Sequence, residues 1–179
     1  MTNNKKYIKY VMIIVALITI IMCIIRINRK YPNPTTTYVS MNENINIENI
    51  KYKVVNVDFL SKEKSDEYYK ENRGILGDEI TYLIHIKIAN EGDSEEKLSL
   101  GSFSLAKKDY ATFPDFEVFL KLNDLENGMI LKPGEEKEYI LPYTIHQINQ
   151  SDKQWEHIKD SKFMLILNLY PDKAAIKLY

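Results

Sequence analysis

Three histidines, His85, His146 and His157, and a single cysteine, Cys23, are the side chains best suited to bind a metal or attack a substrate. Their spacing supports neither. A zinc site gathers three or four such ligands, and the histidines stand far apart, with no His-Glu-x-x-His and no cysteine partner. Cys23 lies inside an apolar run, so no disulfide or reactive thiol is expected downstream. The chain has no Gly-x-Ser-x-Gly elbow, no phosphate-cradling glycine loop and no dinucleotide fingerprint. Glu91, Asp93, Glu95 and Glu96 could offer oxygens to a hard cation, but they lack the alternating ligands and twelfth-place Glu of a calcium loop, and they read as a solvated turn. Asn149-Gln-Ser151 fits a glycosylation acceptor, which has no meaning unless the host glycosylates it. No catalytic, cofactor-binding or metal-ligating residue is therefore assigned, and no enzyme is expected. Tyrosine is the remaining signal. There are 13, and while Tyr82, Tyr139 and Tyr143 alternate like core residues, Tyr68, Tyr69 and Tyr110 fall in polar segments and are the candidate partner contacts.

The elements that would carry such contacts begin with an anchor. From Tyr10 to Ile25 there are sixteen residues without a charge, roughly 24 Å of helix. Ile27 and the stems of Lys9 and Arg26 extend it toward the ~30 Å of a bilayer core. We expect residues 1–9 to form a cytoplasmic tail, 10–27 a transmembrane helix, 28–39 an extended spacer and 40–179 one extracytoplasmic domain. A cleaved signal peptide would need a small-residue cleavage site, which Met22-Cys-Ile-Ile-Arg26 does not supply. A lipoprotein modified at Cys23 would need a small residue where Met22 stands. The anchor region carries six bases and no acid, leaving 18 basic residues against all 25 acidic ones downstream, a net −7. Such a domain repels nucleic acid, anionic lipid and anionic wall polymers, and suits cationic peptides, metal ions or neutral partners.

Downstream, strict alternation dominates. Ile80, Tyr82, Ile84, Ile86 and Ile88 share one parity, with His85 on the less buried face. Ile50 to Leu60 reads as the opening strand, Val118, Leu120 and Leu122 as another, and Tyr139 to Ile145 as a strand whose Pro142 belongs at an edge or bulge. A phase slip between Leu100 and Phe103 predicts a bulge near Gly101. Pro133-Gly134 predicts a turn, Ser151 to Gln154 a capping box opening a short helix through Trp155, Phe163 to Leu169 a central strand, and Ala174 to Tyr179 the closing one. About seven strands with one or two short helices argue a mainly β fold, an immunoglobulin-like β-sandwich. The polar segment from Ser61 to Asp78 reads as a solvated helix over one end of it.

Residues Ile84 to Phe113, with Asn90-Glu-Gly-Asp93 and Phe103-Ser-Leu105, and Leu131-Lys-Pro-Gly-Glu-Glu-Lys-Glu-Tyr-Ile140 resemble the turn and strand pattern of secreted or membrane-anchored immunoglobulin-like domains of unknown function from Gram-positive bacteria. These are similar in fold to a mycobacterial secreted antigen. The resemblance covers roughly residues 40 to 179 and implies a surface-exposed β-sandwich, with no catalytic residue to carry over. The function expected is a membrane-anchored binding module for a cell-surface protein or a cationic peptide. The alternatives are a surface enzyme with a carboxylate-based site, a lipoprotein-type immunity or accessory factor, and a structural spacer.

Overall fold

A computed structural model describes residues 2–31, 35–69, 78–125, 128–169 and 172–179, with side chains for all of these except 2–6, 9, 62, 68 and 69. The chain divides into two compact units, Met1–Thr35 and Thr36–Tyr179. The first is one continuous helix, α1 (Thr2–Lys30), whose Tyr10–Lys30 stretch is long and apolar enough to cross a membrane, with none of it buried inside the protein. Cys23 is exposed on it. Because the helix reaches Lys30 and a strand opens at Thr36, both ends of the 28–39 stretch expected as spacer have regular structure.

The second unit is a β-sandwich. One sheet, here sheet A, joins β1 (Thr36–Ser40), β11 (Lys173–Lys177), β10 (Met164–Asn168), β6 (Ser104–Lys107) and β7 (Tyr110–Thr112) in that order, with β1 parallel to β11 and the other pairs antiparallel. The facing sheet B joins β2 (Ile45–Ile47), β3 (Ile50–Phe59), β4 (Glu79–Asn90) and β9 (Glu136–His146). A small ribbon pairs β5 (Glu96–Leu98) with β8 (Met129–Leu131). The alternating residues of β4 and β9, Ile84, Ile86, Leu141 and Tyr143 among them, are fully buried. They meet Leu105, Leu165 and Ile176 of sheet A in one core. Burying each such side chain contributes about 1.5–3 kcal/mol, and this core replaces the staples that a cysteine-poor domain lacks.

Several expectations hold in detail. Gly134 takes φ +72° in the turn before β9, β10 lies inside sheet A, and Ser151 and Gln154 form a reciprocal capping box for helix α4 (Asp152–Glu156). Others need correction. Two short strands precede Ile50, so β3 is not the opening strand, and the described residues hold eleven strands rather than about seven. The segment around Val118, Leu120 and Leu122 is helix α3 (Phe116–Asn123), not a strand. Its apolar residues satisfy either period, and Asp115 decides between them by accepting the Val118 amide at 3.1 Å as an N-cap. The phase slip near Gly101 is not an in-sheet bulge. The chain leaves the β5–β8 ribbon, makes a 3₁₀ turn at Leu100–Ser102 and enters sheet A as β6.

Helix α3 also closes the edge that β9 presents. The Asn123 amide group donates to the Ile140 carbonyl (2.9 Å) and accepts its N–H (2.7 Å), completing that residue as a neighbouring strand would. The Pro142 carbonyl accepts from Asp115 on the same side, so the missing proline N–H falls on the outer edge, away from β4.

The far end of β4 is tied by Asn90, which is 1% exposed. Its carboxamide donates to the carbonyls of Ser94 (2.7 Å) and Leu131 (3.1 Å) and accepts the Gly92 amide (2.9 Å). Replacing it, Asn90→Ala, is expected to lower stability by about 3 kcal/mol, chiefly by orphaning the buried Leu131 carbonyl, and urea denaturation measures this. The buried tyrosines set a pH limit. Burial pushes the Tyr143 phenol well above its ordinary value, and burial, reinforced by Glu48 and Glu96, pushes Tyr52 up to about 12. The unfolded chain releases these protons near pH 10, so the stability is fully present below pH 10 and is lost as pH rises through the folded values. The Tyr143 hydroxyl has no hydrogen-bond partner among the described residues. Tyr143→Phe is therefore expected to leave stability at pH 7 unchanged or raised while shrinking the alkaline loss, a comparison made by denaturation at pH 8 and pH 11.

Candidate functional site

The end of sheet B where β3 finishes and β4 begins is where the chain gathers polar and aromatic groups from distant segments. Phe59 closes β3 and packs its ring at 4.9 Å from Tyr82 of β4, which meets Phe163 at 5.2 Å. The Tyr82 hydroxyl donates to the Ile158 carbonyl at 2.6 Å in a buried bond. Burial, with Asp160 nearby, holds its pKa far above the ordinary phenol value, so it remains a donor. That bond fixes the 3₁₀ turn Ile158–Asp160 just after α4, and with it Trp155 and Lys159. The Lys159 ammonium lies 5.3 Å from the Phe59 ring centroid.

Helix α2 (Lys62–Tyr69) reaches the same place. Ser65, nearly buried, donates its hydroxyl to Glu79 at 2.7 Å, clamping the helix to the first residue of β4. The Gln147 amide donates to the Asp78 carbonyl, and the Leu60 amide to that of Thr81, so the walls are backbone-tied. Together Phe59, Ser65, Asp78, Glu79, Trp155 and Lys159 line most of a cleft of about 660 Å³, within the ~300–1,000 Å³ usual for ligand pockets. Phe59 is 43% exposed and Trp155 is half-buried, so both offer ring surface.

The Glu79 side chain is 3% exposed, and His146 Nδ1 lies 3.8 Å from its second oxygen. Serine, carboxylate and histidine therefore stand in the order Ser65, Glu79, His146. A nucleophilic triad places the histidine between the other two; here the carboxylate holds the serine directly, an anchoring arrangement. The cleft thus places the carboxylates of Asp78 and Glu79 and the Lys159 ammonium beside the rings of Phe59 and Trp155.

Of the sequence candidates, only Tyr110 has a described side chain. Tyr68 and Tyr69 end helix α2, and their side chains fall outside the described residues. Tyr110 begins β7, half-buried against the core, with Lys107 6.0 Å from its ring; burial raises its pKa. The structure does not bring Tyr110 to the cleft lining. His85 lies on the outer face of sheet B between Asp58 (3.5 Å) and Glu138 (3.4 Å), and His157 caps α4. No group of three potential metal ligands forms among the described residues. Phe59, Asp78 and Glu79 were missed because each belongs to an ordinary strand or turn by local pattern. The nearest signal was the length of the Ser61 to Asp78 connection that borders them.

Removing one hydroxyl tests the scaffold: Tyr82→Phe is expected to cost about 1 kcal/mol, since the Ile158 carbonyl keeps only the Ser161 amide as a donor. Trp155, the only tryptophan, should report a loosened wall through a red-shifted emission in the folded state.

Residues 37–174 match the family described as a domain of unknown function, DUF5028, and the chain belongs to that family. A comparison with curated proteins finds no match. Among solved structures, a conserved hypothetical protein from Bacillus anthracis is similar at 18% identity and TM-score 0.48, over 75% of this chain and 93% of that one. A candidate lipoprotein from Bacillus subtilis is similar at 13% identity and TM-score 0.50, over 78% of this chain and 39% of that one. An uncharacterised β-sandwich protein from Clostridium difficile is similar at 13% identity and TM-score 0.43, over 82% and 96%.

Proposed function

We propose that this member of a family of unknown function is a single-pass membrane protein whose β-sandwich stands outside the cytoplasmic membrane. In this reading it binds, without catalysing a reaction, a cationic peptide or the basic segment of a cell-surface protein. The observation that carries the proposal is the cleft, where Asp78 and Glu79 sit beside Phe59 and Trp155. Ammonium and guanidinium groups are attracted both by carboxylates and by aromatic faces, and the apolar stems of lysine and arginine suit the ring surfaces. The net −7 of the domain favours encounter with such a ligand and disfavours nucleic acid.

The anchor supports the address. Tyr10–Lys30 presents apolar side chains on every side, as lipid requires, and the Gram-positive sources of the similar sandwiches agree with a surface protein of the immunoglobulin-like kind. Lipidation at Cys23 is the less favoured route, because bulky Met22 stands where a small residue is required and the apolar run continues beyond Cys23.

Two measurements test this. Protease added to intact cells should remove the domain while the full-length protein is found in the membrane beforehand; a domain cut only after lysis sinks the extracytoplasmic reading. In the purified full chain, a lysine- and leucine-rich peptide should shift Trp155 emission saturably and its glutamate-for-lysine counterpart should not. Asp78→Asn should weaken binding about tenfold, the loss of one close charge pair. Equal responses to both peptides would refute the cleft as a cation site.

A further inference from the structure

The cleft opens where two neighbouring strands end at different levels. β3 stops at Phe59, opposite Tyr82, whereas β4 extends three residues further to Glu79, where it is paired with β9 alone. At about 3.4 Å per residue the Phe59 level and the Glu79 level stand roughly 10 Å apart, and Asp78 is one residue beyond.

Charge is divided between these two levels. The Lys159 ammonium stands at the first, 5.3 Å from the Phe59 ring centroid, and the carboxylates of Asp78 and Glu79 stand at the second. Glu79 is held by Ser65 and faces His146. Asp78 and Lys159 are exposed, and among the described residues neither side chain has a hydrogen bond or an ion pair. A ligand that carried only positive charge would meet a like charge at the Phe59 ring. The Phe59 end of the cleft therefore favours an anion and the Asp78 end a cation.

A lysine or arginine that ends a peptide carries both groups at a matching distance. In an extended lysine about 7 Å separates the α-carboxylate from the ammonium, and a charge-assisted hydrogen bond of about 2.8 Å at each end brings the span to roughly 13 Å. Free lysine fits less well, because its α-ammonium would stand beside the carboxylate and be repelled by Lys159; in a peptide that nitrogen is an uncharged amide. Leu60, Ile80 and Trp155 offer apolar surface to the stem and to the residues before it.

We propose that the cleft takes the C-terminal basic residue of a peptide, with Lys159 holding its α-carboxylate and Asp78, backed by the charge of Glu79, holding its side-chain cation. This rests on the cleft being a cation site and adds an anion to the ligand.

The experiment uses the purified full chain and the lysine- and leucine-rich peptide, N-acetylated and ending in lysine, prepared with a free C-terminal carboxylate and as its amide; Trp155 emission reports binding. The acid form should bind about tenfold more tightly than the amide, although its net charge is less positive. Lys159→Gln should bring the two forms to within about twofold of each other. Lys159→Arg should keep the preference, and so should Lys173→Gln, which lies outside the cleft lining. Equal affinity of the two forms for the unaltered protein overturns the proposal and leaves the cation site standing, as does tighter binding of the amide, which would make Lys159 a competitor for the ring. A preference that survives Lys159→Gln also overturns it, since another group would then hold the carboxylate. Binding of neither form overturns the cation site itself and the proposal with it.

Discussion

A buried carboxamide can remain inside a protein only if every group on it finds a partner, and the end of the sandwich is organised around that requirement at Asn90. Its side chain reaches Gly92, Ser94 and Leu131, while its backbone N–H goes to Glu135 and its carbonyl accepts from Gly134. One residue thus joins the last position of the longest strand to the loop that follows it, to the small β5–β8 ribbon and to the Pro133-Gly134 turn. Gly92 serves the same junction, for a Cβ there would stand 3.0 Å from that of Asn49. With that corner set, the register of β4 against β9 runs unbroken from Ala89–Glu136 to Glu79–His146. The cleft lies at the far end of the same pairing.

The two ends of sheet B are solved by different chemistry. At one, backbone and amide bonds close a corner; at the other, an aromatic row of Phe59, Tyr82 and Phe163 supports a cleft, and a phenol holds the turn above it. The side of the sheet is closed as well, because Asn123 and the backbone of Asp115 occupy the hydrogen-bonding positions along β9 that another strand would otherwise take. Edge pairing by a partner strand is therefore blocked at Ile140, which directs interest to the cleft and to the faces.

Charge is uneven as well. The strands of sheet B carry four acids and four lysines, those of sheet A three lysines and no acid, and the remaining acids stand outside the strands of both sheets. A net charge computed over the chain averages these surfaces, whereas what a ligand senses is the field within about a Debye length.

The amino-acid order alone determined the features that depend on neighbouring residues. A uniformly apolar run flanked by bases is a helix suited to lipid; alternation from Ile80 to Ile88 and from Tyr139 to Ile145 selects the faces of two strands; Pro133-Gly134 and Ser151 with Gln154 specify a turn and a helix start. Tertiary structure decided what depends on which segments become neighbours. Val118, Leu120 and Leu122 fit two periods, and a cap at Asp115 chose the helix. The slip after Leu100 could mark a bulge or a change of sheet, and only the partners β8 and β10 distinguish them. Phe59, Glu79 and Trp155 meet because strand order brings them to one end, and Lys173 meets Tyr38 because β11 lies beside β1. Local periodicity says which way a side chain points but carries no information about the strand or helix it will point beside, and the cleft depends on that adjacency.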